Sequence, residues 1–153
     1  MAAQHEESAE RVEQRREELY DVMVRLEHAL AAPSGSDLAE WRTELLMKCD
    51  EFRVVLEDHI VGTEGQDGLF SEIASQSPRL ISRVDRLRLE HQHLHDAAEG
   101  LRGALGSDPF NDEAIDTARD LGLVLLTELA RHRQHGADLL YEAYWVDVGG
   151  QGD

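Results

Sequence analysis

The sequence predicts an all-α fold, an up-down-up-down antiparallel four-helix bundle. Apolar residues recur at intervals of three and four, and no segment alternates over strand length. Prolines at 33, 78 and 109 cut the 153 residues into four segments, each long enough for a substantial helix. The breaks are short, and short connections make neighbouring helices antiparallel. No repeat, low-complexity tract or linker interrupts the pattern, so residues 1–153 read as one bundle domain.

The first helix is expected near 4–32, with an inward stripe of Leu19, Val22, Met23, Leu26 and Leu30. After Pro33, Asp37 with Glu40 has the form of a capping box and opens a helix near 37–62, striped by Leu45, Cys49, Phe52 and Leu56. The glycines at 62, 65 and 68 should end or distort it before a turn at Leu69–Ile73. Ser77-Pro78 has the order of an N-cap followed by the first helical position, and starts a helix near 78–105. Its stripe is Leu80, Val84, Leu87, Leu94, Ala98, Leu101 and Leu105. The turn-rich stretch 106–112 leads to a helix near 111–145 carrying Leu121, Leu125, Leu129, Leu139, Leu140 and Ala143. The aromatic end, Leu140 to Trp145, is expected to cover the bundle rather than make a dimer contact.

Charge excludes several functions. Fifteen Lys+Arg stand against 32 Asp+Glu, a formal charge of −17. Nucleic-acid binding needs a basic face that releases counterions, and anionic lipid repels such a surface. The apolar run Leu121 to Leu126 is far short of the roughly 20 residues of a membrane span. The N-terminal segment lacks an apolar stretch, and the single cysteine cannot form an internal disulfide. These features set the expectation of a cytoplasmic protein, a monomer or weak homodimer, whose partner is a small molecule or gas.

Three histidines break the apolar stripes. His59 continues the second stripe, His91 interrupts the third, and His132 follows Leu129 in the fourth. In an antiparallel hairpin, residues at one level are equidistant from the loop. The midpoint of 59 and 91 is residue 75, in the second connection; that of 91 and 132 lies between 111 and 112, at the edge of the third. All three rings should therefore meet near one level. Three imidazoles in a low-dielectric core are costly unless something binds them, and neutral imidazole suits iron, zinc or copper.

Other residues extend the cluster. His95 shares the His91 face at the i, i+4 spacing, and Glu64 lies five after His59. His135, Asp138 and Glu128 flank His132, and each taken alone reads better as helix-surface polarity. His28 points away from its stripe, His93 points to solvent, and Cys49 reads as a small core hydrophobe.

The run Leu56-Glu-Asp-His59, Thr63-Glu64-Gly65, Gly68-Leu-Phe70, Ser77-Pro-Arg-Leu80 and Arg86-Leu-Arg-Leu-Glu-His91 with His95 resembles the hemerythrin-like, HHE cation-binding family. The resemblance implies two irons held between four helices by about five histidines and two bridging carboxylates. Mapped onto this chain, it implies metal ligands at His59, Glu64, His91, His95 and His132. Two positions depart from the pattern. The fourth-helix acid, expected four or five residues after the histidine, is replaced by Gly136 and Ala137, with Asp138 beyond. On helix one, the level of His59 falls near residue 11, where the stripe offers Val12, Arg16 and, further out, His5, with Arg15 beside it.

Two readings follow. In the first, the protein is a hemerythrin-like non-haem iron protein that binds or reacts with dioxygen, peroxide or nitric oxide, or senses iron or oxygen. It holds two irons if the site is complete, and one or none if it is degenerate. In the second, the bundle has lost metal and kept the cavity as an enzyme pocket. His91 or His132 then serves as general acid or base, and Arg15 or Arg16 clamps an anionic substrate. A third class, a module binding a partner protein through its acidic surface, has little else in its favour.

Overall fold

The structure, a computed structural model, describes the backbone of residues 2–146 and the side chains of residues 10–145. It is all-α: four long helices pack antiparallel, with no strand among the described residues. They are α1 (Ala2–Ala31), α2 (Leu38–Glu64), α4 (Ile81–Leu105) and α5 (Asp112–Tyr141). A short helix, α3 (Leu69–Gln76), and a 3₁₀ turn (Pro78–Leu80) fill the second connection. Helix α1 packs on α2 and α5, and α4 packs on the same two, so the four close a square.

Local chemistry sets the boundaries. The Asp37 carboxylate accepts a hydrogen bond from the Glu40 backbone N–H at 3.0 Å and caps α2. Asn111 does the same for α5 through Ala114 N–H, also at 3.0 Å. Helix α2 outruns its expected end at 62 and stops at Glu64, where Gly65 turns the chain. The segment expected as a turn at Leu69–Ile73 is a helix, because Phe70 and Ile73 bury one face of it against the bundle. Pro78 opens a 3₁₀ turn rather than α-helix, and α4 proper begins three residues late. The last helix ends at Tyr141, and Glu142–Val146 winds as a π turn.

The apolar stripes meet in two clusters. The larger runs from the first and third connections to mid-bundle and includes Leu26, Leu45, Phe52, Leu56, Leu101 and Leu125. The smaller joins Phe70, Ile73, Leu80, Val84, Leu87 and Leu139, with Ala143 and Tyr144 laid over it. The C-terminal turn thus covers that end, tied down by Arg79 and Arg83 on Glu142. Tyr141 and Trp145 remain exposed. No described helix is long and apolar enough to cross a membrane.

Candidate metal centre

Buried polar residues mark the site. His91 is 2% exposed and His132 is 3% exposed, and His59 is partly buried beside them. Each occupies a stripe position, so helix period and bundle closure drive the three rings together. One ligand nitrogen from each of the three lies within 4.8 Å of the others, a group able to hold a metal ion. His132 Nε2 stands 3.1 Å from His91 Nε2 and 3.4 Å from His59 Nε2. The expected common level is therefore where the rings sit.

Carboxylates orient two of the rings. His91 Nδ1–H donates to Glu64 Oε2 at 3.0 Å, and His132 Nδ1–H donates to Glu90 Oε1 at 2.9 Å. These bonds place the ring proton on Nδ1 and leave both Nε2 atoms with lone pairs pointing at each other. Two acceptors 3.1 Å apart repel unless a cation lies between them. A proton is a poor candidate. Burial, then the neighbouring rings, then Arg16 and Arg15 push His59 down to about 3. Burial and His91 push His132 down to about 4 against the pull of Glu90. His91 is lowered too, burial outweighing Glu64. At neutral pH all three are uncharged bases.

The two close spacings, His132 to His91 and His132 to His59, fit a metal. With metal–nitrogen bonds of about 2.0–2.1 Å, imidazole nitrogens on one ion stand about 2.9–3.4 Å apart for octahedral to tetrahedral angles. The backing carboxylates are the usual partners of metal-bound imidazoles, raising ligand basicity and fixing the ring. Phe70 stacks on His91, with ring centroids 5.6 Å apart and planes at 14°, and shields it from the α3 side.

The remaining sequence candidates lie elsewhere. Glu64 stands behind His91 on its Nδ1 side, not at the convergent nitrogens, and its other oxygen is 4.0 Å from Arg88. His95 is 44% exposed beside Asp96, because α4 carries it one turn past the level of the triad. His135 shares Glu90 with His132, at 2.6 Å from Oε2. Asp138 is exposed and accepts from Gln134. One Glu128 oxygen is buried without a hydrogen-bond partner, yet Glu128 is outside the convergent group. The His5 side chain lies outside the described residues. Among the described residues, five histidines and two bridging carboxylates are not assembled; three imidazoles, from α2, α4 and α5, are.

Helix one contributes arginine. Beside the triad is a cavity of about 40 Å³ whose wall includes Val12, Arg15, Arg16, His59, His132 and Arg133. Room for the arginines comes from two glycines. A Cβ on Gly62 would fall inside the Arg15 guanidinium, and one on Gly136 would stand 3.3 Å from Arg16 Nη1. The position where the hemerythrin-like pattern has an acid is thus glycine, facing arginine. Burial, then Arg133, lowers the Arg16 pKa.

Sequence reasoning missed Glu90, Phe70 and Arg133. Glu90 adjoins His91, one step off the stripe, and reaches sideways to α5; an acid beside an inward histidine is the signal for it. Burial would raise the Glu90 carboxyl, but hydrogen bonds from His132 and His135 outweigh it and hold the pKa below the usual value. Cys49 is buried, and burial pushes its thiol up to about 12, so it is inert packing. No protein-family model, no curated protein and no solved structure matches the chain.

Proposed function

We propose that this bundle is a metal protein holding one transition-metal ion, iron in its hemerythrin-like reading, on His59, His91 and His132. The observation that carries the reading is the pair of carboxylate-backed imidazoles with opposed Nε2 atoms at 3.1 Å. His59, His91 and His132 would hold such an ion, which would supply Lewis acidity or redox chemistry to a small ligand. The chain does the rest. Glu64 and Glu90 hold the Nδ1 protons and aim the rings. Phe70 and Leu87 keep water from one side, and the cavity lined by His59 and His132 admits the ligand. The ligand is a small molecule or gas, since the cavity has room for only a few atoms.

The metal-free enzyme reading has less support. A general base works best with a pKa near the operating pH, and burial lowers both of its candidate bases, His91 against the pull of Glu64 and His132 to about 4.

Metal analysis of protein purified from iron-supplemented cells, and of apoprotein reconstituted without oxygen using ferrous iron or zinc, tests the proposal. About one ion per chain, lost in His91→Ala, is the expected result. Two irons with oxo-bridge absorption restore the two-iron centre. No uptake of either ion overturns the metal reading.

A further inference from the structure

We infer that Arg15, Arg16 and Arg133 form an anion subsite, which takes a small planar oxyanion of the carboxylate, nitrite or bicarbonate class and holds it against the His59–His132 side of the triad. This deepens the metal reading and rests on it for the contact at the inner oxygen; the arginine contacts stand without it.

Charge is the first argument. The chain carries −17 overall, yet the cavity wall has three arginines and no aspartate or glutamate. Arg15 is partly satisfied, with Nε 3.7 Å from Asp58. Neither Arg16 nor Arg133 has a carboxylate within 4.0 Å among the described residues, although an outer groove bordered by both also carries Glu13, Glu17 and Asp21. Arg133 Nε is buried with no hydrogen-bond partner, while its guanidinium lies over the Tyr20 ring, 4.6 Å from the centroid. A buried donor without a protein partner is expensive, and an acceptor bound in the cavity would satisfy it.

Local neutrality is the second. A divalent ion on three neutral imidazoles is balanced by Glu64 and Glu90, which hold two of those rings. The arginines are then surplus positive charge next to a cation and would be repelled by it. An anion between them removes the conflict.

Shape is the third. A guanidinium presents a planar fork that matches two-oxygen anions. The glycines at 62 and 136 bring the Arg15 and Arg16 forks in from the α2 and α5 sides of the cavity. A cavity of about 40 Å³ suits an anion of a few atoms.

Calorimetric titration of formate into the metal-loaded protein tests this, with metal content and helical circular dichroism measured on every sample. The wild type should bind formate. Arg16→Gln and Arg133→Gln should bind it at least tenfold more weakly with metal content unchanged, and Arg15→Gln should lose less because Asp58 already shares that arginine. Arg16→Lys, which keeps charge without the fork, should fall between and decides the matter if Arg16→Gln fails to fold. No formate binding by metal-loaded wild type, or equal binding by Arg16→Gln, overturns the subsite and leaves the metal reading intact. If the protein takes up no metal, the metal reading fails by itself. Formate binding to that metal-free protein, weakened tenfold by Arg16→Gln, then keeps the arginine assignment, and its absence overturns it.

Discussion

The two ends of the bundle use arginine in opposite ways. At the end made by the first and third connections, Arg119 donates to the carbonyls of Leu30 and Ala32 at 3.2 and 3.0 Å and lies over the Trp41 ring. It closes the exposed C-terminus of α1, whose last carbonyls have no helical partner. Arg42 covers Phe110, which in turn stacks on Trp41. Both arginines there cap or cover the apolar core. At the histidine end, Arg15, Arg16 and Arg133 turn toward a cavity, and three imidazoles stand where the stripes elsewhere carry leucine. One end is finished by its own side chains; the other keeps buried polar groups, Arg133 Nε among them, that no side chain satisfies.

The largest expected effect belongs to the finished end. Leu45 is 0% exposed, and Leu45→Ala should cost about 2–5 kcal/mol in urea denaturation through lost burial and an unfilled cavity. At the histidine layer the sign should reverse. His132→Leu replaces a buried polar ring by an apolar side chain of similar size, and Glu90 keeps His135 as a partner. The metal-free protein should be as stable as wild type or more so, while metal affinity falls by more than about 100-fold, beyond the loss typical of a supporting residue. A loss of stability matching that of Leu45→Ala would erase the contrast between the two ends.

Glu90→Ala comes next. It removes the acceptor that orients His132 without touching a convergent nitrogen, so metal affinity should fall about 10–100-fold, with the ion still bound at saturation. An unchanged affinity in a competitive chelator titration would show that packing alone aims the ring.

A gentler contrast is in pH. Unfolded histidine titrates near 6.5, and the folded pKa is about 3 for His59 and about 4 for His132. As pH falls below 6.5 the unfolded chain takes up protons that the folded chain refuses, so stability falls down to the folded values. The slope is on the order of 1.4 kcal/mol per pH unit for each such histidine. Other carboxylates titrate in the same range, so the measurable quantity is the difference between metal-free wild type and His132→Leu. Wild type should lose stability faster from pH 6.5 to 4.5, and parallel curves would mean that His132 is not held neutral in the core.

The bundle and the triad were legible because both are periodic. Burial on a helix repeats at 3.6 residues, and His59, His91 and His132 fall on that repeat as surely as Leu56 or Leu129. Distance from the loops then gives their common height. Lateral contacts were not legible. Glu90 lies beside the stripe and Phe70 on a helix read as a turn, and both matter because of what a neighbouring element places opposite them. Glu64 was expected at the metal by resemblance; the two further residues of α2 instead set it behind His91. Gly136 stood in the sequence only as a missing acid, and its use appears once Arg16 is seen across from it.

Gly136→Ala probes the smallest and most specific part of the contrast. Within a helix, alanine is favoured over glycine by roughly 0.5–1 kcal/mol. The new methyl would meet Arg16 Nη1 at 3.3 Å, a close contact with the far end of a flexible side chain, which yields by a few tenths of an ångström. Stability should therefore rise by no more than about 1 kcal/mol, and metal content should not change because no imidazole moves. Formate affinity should fall several-fold as the fork is pushed off its position. A more stable variant with undiminished formate affinity would show that Arg16 is held near the cavity for packing alone. A variant that loses stability would show a guanidinium too tightly held to shift, with Gly136 then fixed by the approach of α1 to α5 rather than by the ligand.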